Sequence, residues 1–435
     1  MKAVILNGSG ANDLTGERIN AALIAKLQIQ GWDVEQVVLR EQQIGACAGD
    51  FFCWIRTPGI CNIDDDNRDI AAAIVDSQLV AYLSPVTFGG YSFTLKRMVD
   101  HQIQNYSPFF EMHEGETHHQ KRYRTTPALL GVGWQDAPDT RSATIFRHLV
   151  QRNALNFHAR TWISDVLPTS QADEELQAAV QSWLSMLRKG QSSAPVTLPA
   201  GAITLNGQQE IKRALLLVGS PKTRKSTSNS LGGYLFEHLA GLGVQTETIY
   251  LHTVVRSATK WQALLDALDA ADLVMLAFPI YVDSLPAPVT EALERISTHR
   301  QVMSTRPQRF TAIANCGFPE ANQCDTGLAI CETFAREADF EWVGGLALGA
   351  GEMIYGASLV KAGGKAIRIR KGLELTATAL AQEQAVPDEA REMLAKPVIP
   401  NWLYRFTGKM RWNRWAKDHG AQKLLKRQPY LTEAK

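Results

Sequence analysis

An internal repeat is the feature that most constrains the fold of this chain. Residues 79–100 (LVAYLSPVTFGGYSFTLKRMVD) align without gaps with residues 273–294 (LVMLAFPIYVDSLPAPVTEALE), and AVILNGS at 3–9 matches ALLLVGS at 214–220. Each copy has an apolar run, a proline, a short loop and an amphipathic run. Two copies of one such pattern predict a duplicated domain and not a solenoid.

Size and composition limit the class of protein. The chain has 435 residues, of which 45% are hydrophobic and 20% charged, so two domains with ordinary cores are expected. The net charge of +1 provides no global attraction to nucleic acid or to a membrane. The apolar stretch Ala3–Leu6 is too short for a signal peptide or a membrane span. The six cysteines form two local groups, unlike a secreted disulfide framework, so we expect a reducing, cytoplasmic location.

Apolar strands alternate with amphipathic helices in both copies, which is typical of an α/β fold. The sequence predicts two tandem doubly wound parallel sheets of five strands each, in the order 2-1-3-4-5, followed by a helical C-terminal tail. The predicted domains are 1–188 and 211–385, joined by a Gly-, Pro- and Ser-rich linker at 189–210 and followed by a tail at 386–435.

The loop after the first strand of the second copy is a candidate phosphate site. Its hydroxyl side chains precede or begin a predicted helix, whose N-terminus favours anions: Ser220, Ser226, Thr227 and Ser228. A Walker A loop is excluded because Arg224 stands where that motif needs its second glycine. Capping of the helix by these hydroxyls remains the alternative.

The matching loop of the first copy is less suited to phosphate. It keeps Ser9 but adds Asp13 and Glu17, whose negative charges oppose an anion unless they point away. The sequence therefore leaves open whether this corner binds phosphate.

The loops after the third strands, 85–92 and 279–286, are candidate contacts for a flat cofactor ring. They combine aromatic and apolar side chains with backbone donors, as an isoalloxazine ring requires. The candidate residues are Pro85, Val86, Thr87, Phe88, Gly89 and Gly90 in the first copy and Pro279, Ile280, Tyr281 and Val282 in the second. Ordinary turns between strand and helix are the alternative.

Both halves resemble the flavodoxin-like NAD(P)H-dependent FMN reductase family. The second half is similar through GSP…STS after its first strand and PIYVDSLPAPV after its third. The first half is similar to the iron–sulfur flavoprotein branch through 47–61, SPVTFGGYS and GETHHQKRY (115–123). The resemblance covers roughly residues 1–380.

The resemblance implies two flavodoxin-like domains and FMN as cofactor. It places the FMN phosphate near Ser220 and Ser226–Ser228 and the ring near Pro279–Val282, with Ser9 and Pro85–Gly90 as the corresponding positions of the first half. NADPH or NADH would donate electrons through the flavin to a small acceptor such as a quinone or free flavin. No acid–base residue is required, so no catalytic side chain is assigned. A homo-oligomer or an internal pseudo-dimer would follow. The alternative is a non-catalytic tandem module, with one or both flavin sites degenerate, that serves docking or assembly.

Two further motifs are discounted as metal sites. The iron–sulfur branch has four clustered cysteines, whereas Asp50 here leaves only Cys47, Cys53 and Cys61, so we expect packing thiols and no metal. In HEGETHH the histidines His113 and His118 are one residue too far apart for a metalloprotease helix. His119 and the acids Glu114 and Glu116 belong to the same segment, which we expect to be a loop over the first active-site mouth.

The tail mixes tryptophans with basic residues at 401–428. Such a helix can lie on an anionic membrane, or it can fold back on the protein and bury its tryptophans. We expect folding back, because Pro397 and Pro400 allow a sharp turn beforehand.

Overall fold

The computed structural model describes residues 1–207, 209–303 and 306–431. The chain forms two compact units. Unit 1 comprises Met1–Pro199 and Arg405–Lys435, and unit 2 comprises Ala200–Tyr404. The domain limits derived from the sequence stay a prediction.

Within its described residues, unit 1 contains seven strands and six α-helices before the C-terminal segment. Its elements are β1 (Lys2–Asn7), α1 (Leu14–Ile29), β2 (Asp33–Val38), α2 (Phe52–Ile55), α3 (Asn67–Asp76), β3 (Leu79–Pro85), α4 (Phe93–Asp100), β4 (Tyr106–His113), β5 (Glu116–Lys121), β6 (Ala128–Gln135), α5 (Thr140–Asn156), β7 (Trp162–Pro168) and α6 (Asp173–Arg188). Five strands form a parallel sheet in the order β2-β1-β3-β6-β7. This is the 2-1-3-4-5 order, so the prediction for the first half is confirmed.

Unit 2 repeats this plan. Its elements are β8 (Arg213–Val218), α7 (Thr227–Gly241), β9 (Gln245–Tyr250), α8 (Leu251–Val254), α9 (Ala258–Ala270), β10 (Leu273–Pro279), α10 (Ala287–Val302), β11 (Arg309–Asn315), α11 (Asp325–Glu337), β12 (Glu341–Leu348), α12 (Ile367–Ala381) and α13 (Asp388–Ala395). Its sheet is parallel in the order β12-β11-β10-β8-β9, which is again 2-1-3-4-5. Origin of the two halves by duplication stays a prediction.

The cores explain why the apolar runs form central strands. Leu79–Leu83 in β3 and Leu273–Phe278 in β10 are buried along their whole length, because helices cover both faces of each sheet. An uninterrupted apolar run is stable only in such a position, and this fixes β3 and β10 at the centre of their sheets.

The His-rich segment differs from the prediction. It forms an antiparallel hairpin of β4 and β5 and not a loop. His118 Nδ1 lies 2.7 Å from Asn156 Oδ1, at the last residue of α5. That helix begins after the carboxyl end of β6 and runs about 25 Å to its other end at 1.5 Å per residue. The hairpin therefore lies at the amino edge of the sheet, and the prediction that it covers the first active-site mouth is wrong.

The C-terminal segment folds back onto unit 1. Helix α14 (Asn401–Asp418) places Trp412 in a cluster with Trp54 and Ile55, where Trp412 is 1% exposed. The guanidinium of Arg122 donates to the carbonyls of Leu425 and Arg427 at 3.1 and 2.8 Å. The prediction that the tail folds back and buries its tryptophans is therefore correct for Trp412. It is wrong for Trp402, which is 65% exposed.

Within the ranges described above, no helix combines the length and the hydrophobicity needed to cross a bilayer.

Candidate functional site

The loops predicted to hold a cofactor lie at one edge of the sheet in unit 2. β8 and β10 are adjacent and parallel, with Val218 paired to Ala277, so the loops that follow them are neighbours. The N–H of Gly219 donates to the carbonyl of Ala277 at 2.8 Å. A Cβ at position 219 would lie 2.6 Å from Val289 Cγ2, so this close approach of loop to helix α10 requires glycine.

Ser226 is the N-cap of α7, as the capping alternative proposed. Its hydroxyl accepts from the N–H of Asn229 at 3.1 Å and donates to the carbonyl of Thr223 at 2.6 Å. The cap directs the first turn of α7 toward the carboxyl edge. The N–H groups of Thr227 and Ser228 belong to that turn and have no carbonyl of the helix within reach. Backbone donors, more than hydroxyls, are therefore what this corner offers to an anion.

The side chains of Thr227 and Ser228 tie the helix start to neighbouring strands. Thr227 Oγ1 donates to the carbonyl of Gly351 at 2.8 Å, after β12. Ser228 Oγ accepts from Asn315 Nδ2 at 2.9 Å, and the same amide nitrogen donates to the carbonyl of Phe278 at 2.9 Å. Asn315 thus links the phosphate corner to the end of β10, where the ring loop starts.

The charge of this corner is positive. Residues 219–229 contain no Asp or Glu, whereas Lys222, Arg224 and Lys225 are exposed there. Together with the N-terminus of α7 they create a field that favours anions. Lys222 Nζ lies 5.8 Å from the ring centroid of Tyr355.

A segment after β12 packs directly on this loop. Gly356, with φ of 69°, lies so close that a Cβ there would meet the carbonyl oxygen of Lys225 at 2.2 Å. No larger residue fits without moving one of the two backbones. The segment around Gly351 and Gly356 therefore forms one wall of the corner.

The ring loop of unit 2 is a tight turn. Tyr281 and Ser284 exchange backbone hydrogen bonds at 2.9 and 3.2 Å, and the central residues Val282 and Asp283 have φ of 41° and 64°. Positive φ at both positions defines a type I′ turn. Before the turn, the N–H of Ile280 donates to the carbonyl of Asn315 at 2.8 Å. Pro279–Val282 are half-buried, so part of each side chain is open at the carboxyl edge.

Unit 1 has the same turn at the same place. Thr87 and Gly90 exchange backbone hydrogen bonds at 3.0 and 2.7 Å, and Phe88 and Gly89 have φ of 53° and 85°. Pro85 ends β3, and the N–H of Val86 donates to the carbonyl of Trp134 at 3.0 Å. Phe88 is buried, so in this unit the aromatic side chain belongs to the core.

The phosphate corner of unit 1 differs, because an acid occupies the N-cap. Asp13 caps α1, and its Oδ1 accepts from the N–H of Gly16 at 2.9 Å. Its Oδ2 accepts from Trp134 Nε1 at 2.9 Å. A Cβ at Gly16 would lie 2.6 Å from Ser9 Cβ and 2.9 Å from the Trp134 ring. The carboxylate and indole are thus packed against the start of the helix, where an anion would bind.

A second acid completes this arrangement. Glu17 Oε1 pairs with Arg40 Nη1 at 3.0 Å, and the same guanidinium nitrogen donates to Ser9 Oγ at 3.1 Å. Ser9 is fully buried, with its N–H donating to Asn7 Oδ1 at 2.9 Å. The hydroxyl predicted to contact phosphate is therefore engaged with protein groups, and the local cation is paired.

The cysteines of unit 1 surround a small cavity with a volume of ≈ 20 Å³, about the space of one water. Burial raises the pKa of Cys47 to about 12, and it raises the pKa values of Cys53 and Cys61 as well. Cys61 Sγ lies 3.4 Å from His101 Nδ1. Among the residues with described positions, no group of three or more metal-binding side chains is arranged to hold a metal ion. The thiols are protonated packing groups at neutral pH, as burial dictates.

Sequence reasoning missed three residues that shape these corners: Asn315, Trp134 and Gly356. Asn315 ends the strand RFTAIAN directly after the apolar run Ala312–Ala314, and a polar residue at the carboxyl end of such a run is a recognisable signal. Trp134 and Gly356 act through contacts with distant segments, and no local pattern reveals them.

The strand order and the paired loops define the class: both units are flavodoxin-like domains. Residues 213–317 match the model of the NADPH-dependent FMN reductase family, which confirms the predicted resemblance for that part of the chain. No curated protein matches the sequence.

Solved structures with a similar fold cover parts of the chain. A flavone reductase is 11% identical, with 40% of this chain and 65% of that chain aligned and a TM-score of 0.30. An FMN-dependent NADH-azoreductase from Bacillus anthracis, in complex with FMN, is 14% identical, and the alignment covers 39% of this chain and 99% of that chain with a TM-score of 0.29. An NAD(P)H:quinone oxidoreductase from Methanothermobacter marburgensis is 16% identical, and the alignment covers 38% of this chain and 98% of that chain with a TM-score of 0.29. At such values these similarities carry no information about substrate.

Proposed function

We propose that the chain is an NAD(P)H-dependent flavin oxidoreductase that binds one FMN, in unit 2. The observation that carries this is the contrast between the two helix starts. Ser226 caps α7 in a loop without acids, whereas Asp13 caps α1 beside Glu17. An anionic phosphate is attracted to the first corner and repelled by the second.

The residues of unit 2 fit FMN in chemistry and in position. The N–H groups at Thr227 and Ser228 and the loop from Ser220 would hold the phosphate, with Lys222, Arg224 and Lys225 adding long-range attraction. The half-buried turn Pro279–Val282 would support the ring, because it offers apolar surface and lies at the same edge.

Bound FMN would supply two-electron transfer between a nicotinamide and a second substrate. The chain's own contribution is to bind and orient. Asn315 fixes the spacing between the two corners through its bonds to Ser228 and Phe278. The two backbone hydrogen bonds between Tyr281 and Ser284 define the shape of the ring loop that would receive the ring. No acid or base is assigned.

NADPH or NADH is the proposed donor, and a small molecule such as a quinone or free flavin is the proposed acceptor. The exposed cations of the phosphate loop favour an anionic dinucleotide of either kind.

A cytoplasmic location is proposed because all six cysteines are free thiols. A homo-oligomer or internal pseudo-dimer remains part of the proposal.

The alternative of a degenerate module applies to unit 1 alone. Asp13, Trp134 and the Ser9–Glu17–Arg40 group fill its phosphate corner with protein contacts. We propose that unit 1 is a scaffold without flavin.

Substitution of the N-cap residue of α7 tests the assignment of FMN to unit 2. Ser226→Asp preserves an N-cap, because Asp and Ser cap about equally well, yet places a charge where Asp13 stands in unit 1. We expect the free energy of unfolding to fall by about 1–3 kcal/mol, because a carboxylate cannot donate to the carbonyl of Thr223 as the hydroxyl does. We expect FMN affinity to fall at least tenfold, which corresponds to about 1.4 kcal/mol. Affinity is measured by titration of the apoprotein with FMN, and the wild type should release about one flavin per chain.

Ser257→Asp is the matched control, since Ser257 caps α9 in the same unit. It adds the same charge at another helix start and should leave FMN affinity unchanged. Two flavins per chain, or none, would refute the proposal, as would equal affinity in both variants.

A further inference from the structure

Helix α14 has one face packed on the protein and an opposite face that is both apolar and exposed. Trp402, Phe406 and Met410 are 65%, 60% and 60% exposed. Residues four apart fall on one side of a helix, because each residue turns the chain by about 100°. These three side chains therefore form a continuous exposed stripe along two turns.

The exposure of this stripe does not result from a loosely attached helix. Trp412 is 1% exposed, and it lies about 120° around the helix from the centre of the stripe. Gly408 lies on the same side of the helix as Trp412, and a Cβ there would meet the Phe110 ring at 2.5 Å. The orientation of α14 is thus fixed by close packing, and the stripe is held outward.

Cations border the stripe. On the helix, Lys409 lies to one side of Phe406 and Arg414 to the other side of Met410, while Lys417 continues the stripe toward the C-terminus, and all three are exposed. Between residues 405 and 427 the sequence has eight Lys and Arg residues against a single acid, Asp418.

We propose that this face of α14, the Trp402 stripe, docks the protein onto the surface of an anionic lipid bilayer. Apolar and aromatic side chains between cations are what an interfacial helix inserts among headgroups, with the cations attracted to anionic lipid. A second copy of the chain is a poorer occupant. Pairing of two stripes would bring together two C-terminal segments that each carry eight Lys and Arg residues against one acid, and this like-charge contact is unfavourable. Docking of this kind is independent of the flavin site.

Flotation of the full-length holoprotein with lipid vesicles tests the proposal. Vesicles of phosphatidylcholine with phosphatidylglycerol should carry the protein upward, and phosphatidylcholine alone should carry much less. High salt should weaken the binding, because it screens the cations. The variant Trp402→Ser, Phe406→Ser, Met410→Ser should partition about tenfold or more less well. The packed face of α14 is unaltered, so its thermal unfolding should match the wild type.

Matched controls separate the stripe from general surface effects. Ile29→Ser, Leu242→Ser, Val360→Ser removes three other exposed apolar side chains and should float like the wild type. Lys409→Glu with Arg414→Glu should abolish the preference for anionic vesicles, whereas Arg188→Glu with Lys189→Glu, an equal change of charge elsewhere, should not.

Failure of the wild type to float with anionic vesicles would overturn the proposal. Flotation of the stripe variant at the wild-type level would do the same. A concentration-dependent dimer that the stripe variant loses, without any flotation, would assign the surface to a second copy of the chain.

Discussion

Trp134 Nε1 donates a 2.9 Å hydrogen bond to Asp13 Oδ2, across the corner where unit 1 would hold a phosphate. The two residues are 121 positions apart in the chain. The carboxylate is thereby held at the start of α1 by the indole on one oxygen and by the N–H of Gly16 on the other.

Replacing Asp13 tests whether this contact is structural. We expect Asp13→Ala to lower the free energy of unfolding by about 1–3 kcal/mol, because α1 loses its cap and the buried indole loses its acceptor. Chemical denaturation measures the loss. Asp136→Ala, at an exposed position, is the control and should change stability by less than about 0.5 kcal/mol. The flavin content of Asp13→Ala should equal that of the wild type. A parallel loss of flavin would place the cofactor in unit 1.

Asn315 should connect stability with cofactor binding in unit 2. Asn315→Leu removes the buried side-chain amide that donates to the Phe278 carbonyl and the Ser228 hydroxyl, which costs about 1–3 kcal/mol. We expect weaker FMN binding in addition, measured by titration. Asn153→Leu in unit 1, where the amide oxygen accepts from Tyr91 at 3.0 Å, should cost similar stability and leave FMN affinity unchanged. Equal flavin loss in both variants would indicate general unfolding.

The backbone of Val282 adopts a strained conformation in the ring loop. A β-branched residue at φ of 41° is unfavourable by about 1–2 kcal/mol, and glycine removes that penalty. Val282→Gly should therefore raise the free energy of unfolding by about 1 kcal/mol, after the entropy of glycine is subtracted. If the side chain contacts the ring, the same variant should bind FMN less tightly. Denaturation of the apoprotein and FMN titration give the two values. A destabilised variant would mean that the turn depends on valine packing.

Stability at acid pH should depend on His119. Burial, which includes contacts with the Trp54 and Phe110 rings at 4.5 and 5.0 Å, lowers the pKa of His119 to about 3. The unfolded chain takes up this proton near pH 6.5, so the contribution of neutral His119 is complete above that pH and is lost as pH falls toward 3.

Between pH 7 and 5, His119→Phe should lose about 1–2 kcal/mol less stability than the wild type, since each pH unit below 6.5 costs up to about 1.4 kcal/mol. Urea titrations at both pH values measure the difference. His419→Phe changes an exposed histidine and is the control. Identical pH dependence in wild type and His119→Phe would show that the ring is accessible to protons.

The sheets were predictable from the sequence because apolar runs such as Leu273–Phe278 are stable only between two helical layers. The hairpin at Tyr106–Lys121 was not, because its second strand, ETHHQK, is polar and its packing partner, around Gly408, lies far along the chain. The state of the first phosphate corner was not predictable either. Asp13 and Glu17 were visible as charges, but their direction depends on Trp134 and Arg40.

The two type I′ turns have a consequence for how such proteins are compared. Phe88–Gly89 and Val282–Asp283 adopt one backbone shape with unrelated side chains, and in both cases main-chain hydrogen bonds maintain it. If unit 1 holds no flavin, as proposed, a domain can keep the backbone of a flavin-binding loop without binding flavin. The proposal then implies that superposition of backbones does not separate binding from non-binding domains of this fold, whereas the charge of the residues at the N-terminus of the first helix does.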